Sequence, residues 1–166
     1  MRTVDVRDLL EQPGARLALR LDEPFGKLAV GLAEVDTPVT GDLDVEGTSD
    51  GIVVSGKLSG GAEFTCARCL KSYEAGFEVV VSEVFAEEPG DDEYGMDDPA
   101  SVDLEPLVRD AVLLAMPFSP LCRTDCKGLC PSCGADRNLG ECRCPETEID
   151  PRWAPFGTAN ENDQHD

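Results

Sequence analysis

Apolar residues alternate with polar or small ones along much of the chain before residue 86. A period of two is typical of strands that bury one face of a sheet. Turn-forming sequences such as DEPFG, TSDG and SGG separate the alternating stretches. The pattern therefore predicts an antiparallel β meander or a small barrel. Its expected strands lie at residues 17–21, 28–32, 39–45, 52–58 and 77–85.

Two segments instead have the pattern of helices. Asp5 can cap a short helix over VRDLLEQ, which Pro13-Gly14 ends. Asp103 can cap a second helix at residues 103–116, where apolar residues recur at i, i+3, i+4 and i+7 until Pro117. This apolar stripe is expected to pack on the sheet, although it could also bind a partner's groove. The expected fold class is α+β, mainly antiparallel β with one packed helix.

The remaining segments divide the chain further. Seven of the twelve residues at 87–98 (EEPGDDEYGMDD) are acidic, which predicts a mobile solvated loop or, alternatively, a nucleic acid mimic for a basic protein. From residue 121 the sequence changes to Cys, Gly, Pro and charged residues. We expect a β-rich domain at 1–120, a Cys-rich zinc-binding appendage packed on it at 121–156, and a disordered tail at 157–166.

Charge and hydropathy restrict the classes of function. The 34 acidic and 14 basic residues give a formal charge of −20, which disfavours a broad nucleic acid interface and favours cationic partners. The first ten residues lack a signal peptide pattern, and the longest apolar run, AVLLAMPF, is far shorter than the roughly 20 residues of a membrane span. We therefore expect a cytoplasmic protein that binds neither membrane nor DNA.

Eight cysteines supply the most specific chemical signal in the sequence. In a reducing compartment such cysteines indicate metal or redox chemistry rather than disulfides. They suffice for two tetrahedral Zn²⁺ sites of four thiolates each. We favour one site that ties the appendage to the sheet and one local site within the appendage. The first would use Cys66, Cys69, Cys122 and Cys126, and the second Cys130, Cys133, Cys142 and Cys144.

The two Cys-x-x-Cys pairs differ in the strength of their zinc signal. In Cys130-Pro-Ser-Cys133-Gly134, proline presets φ within the turn, and Gly134 can adopt the positive φ needed on leaving it. Cys66-Ala-Arg-Cys69 lacks the glycine, but Arg68 and Lys71 lie close by in sequence and can offset thiolate charge.

Redox and catalytic readings compete with structural zinc. A thioredoxin-like pair should open a helix in a βαβ unit, whereas Cys66 follows a β-rich stretch. The sole histidine is His165, so neither a catalytic triad nor a typical catalytic zinc site is available. The sequence contains no P-loop and no G-x-G-x-x-G motif. We expect a protein that is not an enzyme, with a thiol-based redox or zinc-responsive regulator using Cys66 and Cys69 as the alternative.

Cationic residues are concentrated among the cysteines. They could contact RNA or another partner, or they could only screen the thiolates and keep the segment soluble. These residues are Arg68, Lys71, Arg123, Lys127, Arg137 and Arg143.

The order of these motifs resembles the YceD family of large ribosomal RNA subunit accumulation proteins. The resemblance rests on the distant Cys66-Ala-Arg-Cys69-Leu, the following strand, the acidic loop, the helix DLEPLVRDAVLLAMP, and LCRTDCKGLCPSCGADRNLGECRC followed by DPRWAPF. It is best from about residue 60 to 156.

This resemblance implies a non-catalytic role in the synthesis, processing or stability of 23S ribosomal RNA. The implied partner is a large-subunit precursor, contacted through a ribosomal protein or through ribosomal RNA. Some members of the family lack the last four cysteines and have histidines near the positions of Cys122 and Cys126, which supports grouping those two with Cys66 and Cys69. The second zinc site then resembles an optional addition.

Overall fold

The computed structural model describes residues 3–96, 98, 100–140, 142–144 and 152. In these residues the chain forms nine strands and two helices. In chain order they are β1 Thr3–Asp5, α1 Arg7–Glu11, β2 Arg16–Glu23, β3 Leu28–Val30, β4 Ala33–Val35, β5 Val39–Gly47, β6 Ile52–Thr65, β7 Ser72–Ala86, β8 Tyr94–Gly95, β9 Ser101–Asp103 and α2 Glu105–Ala115.

The long strand β6 organises a seven-stranded sheet. One edge of β6 pairs along its length with β7, and the other pairs first with β5 and then with β4. The strand β2 extends the sheet beyond β5, and β3 extends it beyond β4. All of these pairings are antiparallel, whereas the short β8 pairs with β7 in parallel. The strands β1 and β9 form a separate two-stranded sheet.

Of the two sheet forms expected, a meander or a small barrel, the closed barrel is absent among the described residues, because no pairing joins β2 or β3 to β7 or β8. The structure also corrects two sequence-based expectations about the strands. The strand expected at residues 28–32 ends at Val30, because the chain turns at Gly31 and Leu32 and returns as β4 to form a hairpin. The SGG sequence is not a turn either, because Gly60 and Gly61 continue the β6 ladder opposite Phe77 and Gly76.

The alternating pattern identifies much of the buried face of the sheet, although Leu17 and Val30 are each 40% exposed. The side chains of Leu43, Ile52, Leu58 and Phe85 are almost completely buried. The helix α2 packs against β7 and β3, and it buries Leu107, Val108 and Val112 from its predicted apolar stripe. The stripe is thus part of the hydrophobic core. Burial of this apolar area supplies the main stabilisation of the β-rich region.

Both helices begin after the expected aspartates. Asp5 accepts a hydrogen bond from the backbone N–H of Arg7, and Asp103 accepts one from that of Glu105. The second helix therefore begins two residues later than the sequence pattern predicted and ends one residue earlier. Between β7 and β9, the acidic segment contains the short strand β8, which the sequence pattern did not indicate. The tail expected at 157–166 lies outside the described residues.

None of the described helices has the length and apolar character required to span a membrane.

Candidate metal centres

The Cys66-x-x-Cys69 pair lies at the tip of the β6–β7 hairpin, whose last register pair is Thr65 with Ser72. The loop closes when the Cys66 N–H donates to the Lys71 carbonyl at 2.9 Å. The Leu70 N–H donates back to the Cys66 carbonyl, also at 2.9 Å. Leu70 adopts a left-handed φ of 58°, which is rare for a residue with a Cβ. The hairpin tip therefore forms the compact turn that two neighbouring thiols need to face one ion.

The Cys130-x-x-Cys133 pair repeats this backbone arrangement. The Cys130 N–H donates to the Ala135 carbonyl, and the Gly134 N–H donates to the Cys130 carbonyl, each at 2.8 Å. Gly134 has a φ of 72°, so it occupies the position that Leu70 takes in the first turn. The glycine identified from sequence thus has the expected conformation, while the first turn forms the same geometry without a glycine.

Residues 120–129 wrap around the hairpin tip. The Ala67 N–H donates to the Pro120 carbonyl at 2.8 Å, and the Leu129 N–H donates to the Arg68 carbonyl at 3.0 Å. The Arg68 guanidinium also donates to the Cys126 carbonyl at 2.9 Å. Gly128 permits this approach, because a Cβ there would lie 2.9 Å from the Arg68 carbonyl oxygen. These bonds bring Cys122 and Cys126 to Cys66 and Cys69.

The eight sulfur atoms consequently form two groups of four, and within each group all lie within 4.8 Å of one another. We call them the first cluster (Cys66, Cys69, Cys122, Cys126) and the second cluster (Cys130, Cys133, Cys142, Cys144). These are the groupings favoured on sequence grounds.

The sulfur separations fit a tetrahedral metal site. In the first cluster Cys66 Sγ lies 3.8 Å from Cys126 Sγ, and Cys69 Sγ lies 3.7 Å from Cys122 Sγ. Four thiolates at 2.3 Å from a zinc ion would be separated by about 3.8 Å. A disulfide needs sulfurs about 2 Å apart. Either cluster could therefore hold a metal ion.

Each cluster contains thiols whose pKa values are shifted in opposite directions. The backbone N–H of Cys122 is the main cause that lowers the pKa of Cys66 to about 6. The N–H groups of Cys133 and Ser132 likewise lower the pKa of Cys130 to about 6. Burial raises the pKa of Cys122 to about 12, and hydrogen bonding with Cys133 and Cys130 raises that of Cys144 to about 12. A divalent cation would remove this conflict, because it stabilises all four thiolates.

The six cationic residues singled out from the sequence are exposed, but three of them have partners close to the first cluster. Arg68 donates to the Cys126 carbonyl, as described above. Lys71 Nζ lies 2.7 Å from an Asp136 carboxylate oxygen. Arg123 donates to the Asn138 side chain at 2.8 Å and pairs with Asp125 at 3.3 Å. These contacts favour a structural role for the three.

Sequence reasoning missed Asp136 and Asn138. They lie between Cys133 and Cys142, yet the Asn138 side-chain amide is 3.5 Å from Cys126 Sγ in the other cluster. The charge of Lys71 and the N–H of Asn138 lower the pKa of Asp136 to about 2. Polar residues between ligands are usually solvated, so only the folded arrangement distinguishes these two.

A row of carboxylates across three strands was also missed. Glu34 in β4 is directly opposite Glu63 in β6, which is opposite Glu74 in β7. They line an open groove of about 640 Å³ together with Asp36, Thr37 and four glycine or alanine residues. Like charges that face each other across strands lower stability. The sequence carried no signal for this row, since its members align only through the register.

Comparison with known proteins identifies a family match. The family described as large ribosomal RNA subunit accumulation protein YceD matches residues 54–158, which include both clusters. An uncharacterized protein of Mycobacterium tuberculosis is 37% identical over 163 residues, covering 92% of this chain and 78% of its own length. An uncharacterized protein of Mycobacterium leprae is 32% identical over 160 residues, covering 90% of this chain and 73% of its own.

A plant protein provides a more distant likeness. The chloroplastic large ribosomal RNA subunit accumulation protein YCED homolog 1 of Arabidopsis thaliana is 35% identical over 63 residues. That alignment covers 38% of this chain and 20% of the plant protein. No solved structure matches this chain significantly.

Proposed function

Because this chain belongs to the YceD family of large ribosomal RNA subunit accumulation proteins, we propose that it supports the accumulation of 23S ribosomal RNA as a non-catalytic, zinc-braced factor. The observation that carries the proposal is the extent of the family match. It covers residues 54–158, a range that contains nearly all of the β6–β7 hairpin, the helix α2 and both clusters.

Zinc in the two clusters would act as a structural brace. A structural Zn²⁺ site uses four protein ligands and leaves no open position for a reacting water, whereas a catalytic site keeps one open. Residues 121–140 contain no regular helix or strand longer than an isolated bridge. Metal binding would therefore provide most of the free energy that orders this segment.

The partner that best fits the charges is a basic ribosomal protein of the large-subunit precursor. The chain carries a formal charge of −20, and the row of Glu34, Glu63 and Glu74 borders an open groove. Four thiolates around one Zn²⁺ add further negative charge, about −2 for each site. Glu34 is already paired with Lys27 at 2.6 Å, so a lysine- or arginine-rich segment would chiefly relieve the repulsion between Glu63 and Glu74, whereas RNA phosphates would increase it.

The redox alternative has less support. Reactive thiols are accessible and ionised, but Cys66 and Cys69 are at most 4% exposed. Their neighbours Cys122 and Cys126 lie at van der Waals separations rather than at disulfide distance. Rapid alkylation of Cys66 and Cys69 in zinc-loaded protein would favour the redox alternative.

Deletion of the gene in its own host tests the function. The ratio of 23S to 16S ribosomal RNA is expected to fall and to recover with the wild-type gene. The Cys66→Ser/Cys69→Ser variant should not restore it, whereas Cys142→Ser/Cys144→Ser should restore most of it if the second site is an optional addition. An unchanged RNA ratio in the deletion strain would refute the proposal. Elemental analysis of the purified protein should give about two zinc ions per chain.

Charge reversal tests the class of partner. We expect Glu63→Lys/Glu74→Lys to weaken co-sedimentation with large-subunit precursors, because it removes the attraction for a cationic segment. The matched variant Arg137→Glu/Arg143→Glu reverses two exposed cations near the clusters. If this second variant alone weakens co-sedimentation and flattens its salt dependence, the protein contacts RNA phosphate instead.

A further inference from the structure

The segment at residues 134–140 belongs to one cluster by sequence and to the other by contact. It follows Cys133 and precedes Cys142, so both of its ends are held by thiols of the second cluster. Its side chains nevertheless contact the first cluster and the hairpin tip. We call residues 134–140 the linking segment.

Asn138 makes the closest of these contacts. Its side-chain N–H group donates to Cys126 Sγ at 3.5 Å. Its side-chain oxygen accepts from the Lys127 N–H and from the Arg123 guanidinium, both at 2.8 Å. One amide group therefore supports the sulfur of Cys126 and also fixes the backbone directly after it.

Asp136 holds this amide in place. One carboxylate oxygen accepts from the Asn138 backbone N–H at 2.9 Å and from its side-chain N–H at 2.7 Å. The other oxygen lies 2.7 Å from Lys71 Nζ, and the Asp136 side chain is 12% exposed. Lys71 is the residue whose carbonyl accepts the Cys66 N–H. The contacts thus run from Cys126 through Asn138 and Asp136 to the hairpin tip.

Backbone bonds attach the linking segment to the same surface. The Arg137 N–H donates to the Gly128 carbonyl at 3.0 Å, and Leu129 forms an isolated β-bridge with Asp136. Gly128 itself lies against the Arg68 carbonyl of the hairpin tip. The Asn138 amide therefore lies in a loop that is bonded to the surroundings of the first cluster and flanked on both sides by cysteines of the second.

We propose that Asn138 is an outer-shell residue of the first metal site, and that metal in the second cluster controls, through the linking segment, how fast the first cluster releases its metal. The inference rests on the proposed zinc binding. An N–H group that donates to a thiolate stabilises its negative charge and so opposes protonation and loss of the metal. Loss of metal from the second cluster frees both ends of the linking segment and removes this donor.

Single substitutions test the role of Asn138. Protein loaded with zinc is mixed with excess EDTA, and pulsed alkylation with mass spectrometry follows Cys66, Cys69, Cys122 and Cys126 separately. Asn138→Ala should speed labelling of these four thiols by about 10-fold, the lower end of outer-shell effects on metal sites. Asn138→Asp keeps an acceptor for the Lys127 N–H but removes the donor to Cys126 Sγ. It should accelerate labelling at least as much as Asn138→Ala does.

Leu139→Ala provides the matched control within the linking segment. Leu139 is 82% exposed, so its truncation should leave the labelling rate unchanged. If Leu139→Ala accelerates labelling as much as Asn138→Ala does, the effect belongs to the segment in general and the role of Asn138 is refuted.

A double-mutant cycle tests the coupling. Cys142→Ser/Cys144→Ser opens the second cluster and should accelerate labelling of the first cluster by about as much as Asn138→Ala. Combining the changes should add little, because both remove the same donor. Accelerations that multiply would show independent effects and would overturn the proposal.

The outcomes distinguish this inference from the proposed function. Two zinc ions per chain with labelling rates unaffected by Asn138→Ala would overturn the inference and leave zinc binding in place. A protein with no bound zinc, and with all thiols labelled at once before EDTA is added, would overturn both.

Discussion

The two clusters share a turn geometry but join different parts of the molecule. In the first, a hairpin of the sheet meets a segment 53 residues later in the chain, and three of its four cysteines are buried. In the second, all four cysteines come from residues 130–144, and Cys130 alone is buried while Cys133 is exposed. The same Cys-x-x-Cys turn can therefore serve as a cross-link between distant elements or as a local organiser.

The largest expected effect is the difference in stability between variants that lack the first cluster and variants that lack the second. Cys66→Ser/Cys126→Ser is expected to lower the free energy of unfolding by on the order of 5 kcal/mol, since metal binding there is coupled to folding. Cys142→Ser/Cys144→Ser should lower it by only about 1 kcal/mol, because all four cysteines of the second cluster lie outside the strands of the sheet. Urea denaturation followed by far-ultraviolet circular dichroism measures both. Equal losses would contradict the distinction between cross-link and local organiser.

Three glycines allow a graded comparison of the backbone around the clusters. Gly128→Ala should cost about 2–3 kcal/mol, because it combines a left-handed φ of 71° with a Cβ 2.9 Å from the Arg68 carbonyl oxygen. Gly134→Ala should cost about 1 kcal/mol, since its φ is 72° but no atom lies within 4 Å of the added Cβ.

Gly140→Ala is the control for this series, because Gly140 has no left-handed φ and no atom lies within 4 Å of an added Cβ. Its effect should stay within about 0.5 kcal/mol. The three values come from chemical denaturation of zinc-loaded protein. If Gly128→Ala were no worse than Gly134→Ala, the close packing of the first cluster's wrapping segment would not contribute to stability.

A change at the first turn tests whether its missing glycine matters. Leu70→Gly keeps the left-handed conformation but removes its cost, which is about 1–2 kcal/mol for a residue with a Cβ. The greater entropy of glycine in the unfolded state offsets about 0.5–1 kcal/mol of this gain. We expect a net stabilisation of roughly 0.5 kcal/mol by thermal unfolding. Leu70 is 61% exposed, so little packing is lost. A clear destabilisation would instead show that its side chain packs against the fold.

The smallest expected effect is a pH response in which the clusters behave alike. In metal-free protein whose turns keep their fold, thiolate absorbance should rise near pH 6 by about two thiolates per chain, because backbone N–H groups of these turns lower the pKa values of Cys66 and Cys130 to about 6. Their folded-state pKa values lie below the ordinary value near 8.5. Their contribution to stability is therefore present above that value and lost as the pH falls through 6.

Single variants separate the two clusters in this titration. Cys66→Ser and Cys130→Ser should each remove one of the early thiolates and leave the other. A titration that begins only near the ordinary pKa in the wild type would show that the backbone N–H groups do not stabilise these thiolates.

Sequence patterns predicted the residues of the core better than they predicted the pairing of the strands. Alternation identified buried residues such as Leu43 and Phe85, and helical spacing identified the buried side of α2. The length of β6 escaped prediction, because Gly60 and Gly61 look like a turn unless their partners across the ladder are known. Local propensity cannot report a pairing that depends on residues further along the chain.

The candidate metal centres were also predicted only in part, because some of their contacts join residues that are distant in the sequence. The expectation that one site ties the appendage to the sheet and that a second lies within the appendage gave the same two groups of cysteines that the structure brings together. It did not predict Asn138, whose contact with Cys126 crosses from one cluster to the other. It also gave Leu70 no special role, although that residue adopts the conformation expected of glycine.

The wide separation between the two halves of the first cluster has a consequence for synthesis on the ribosome. A nascent chain exposes Cys66 and Cys69 well before Cys122, which follows Cys69 by 53 residues. At elongation rates of roughly 5–20 residues per second that gap lasts roughly 3–10 seconds. During this interval the hairpin can offer only two of the four sulfurs. A fully ligated ion in the first cluster would therefore require translation to have passed Cys126, and a chain truncated before Cys126 could not hold one there.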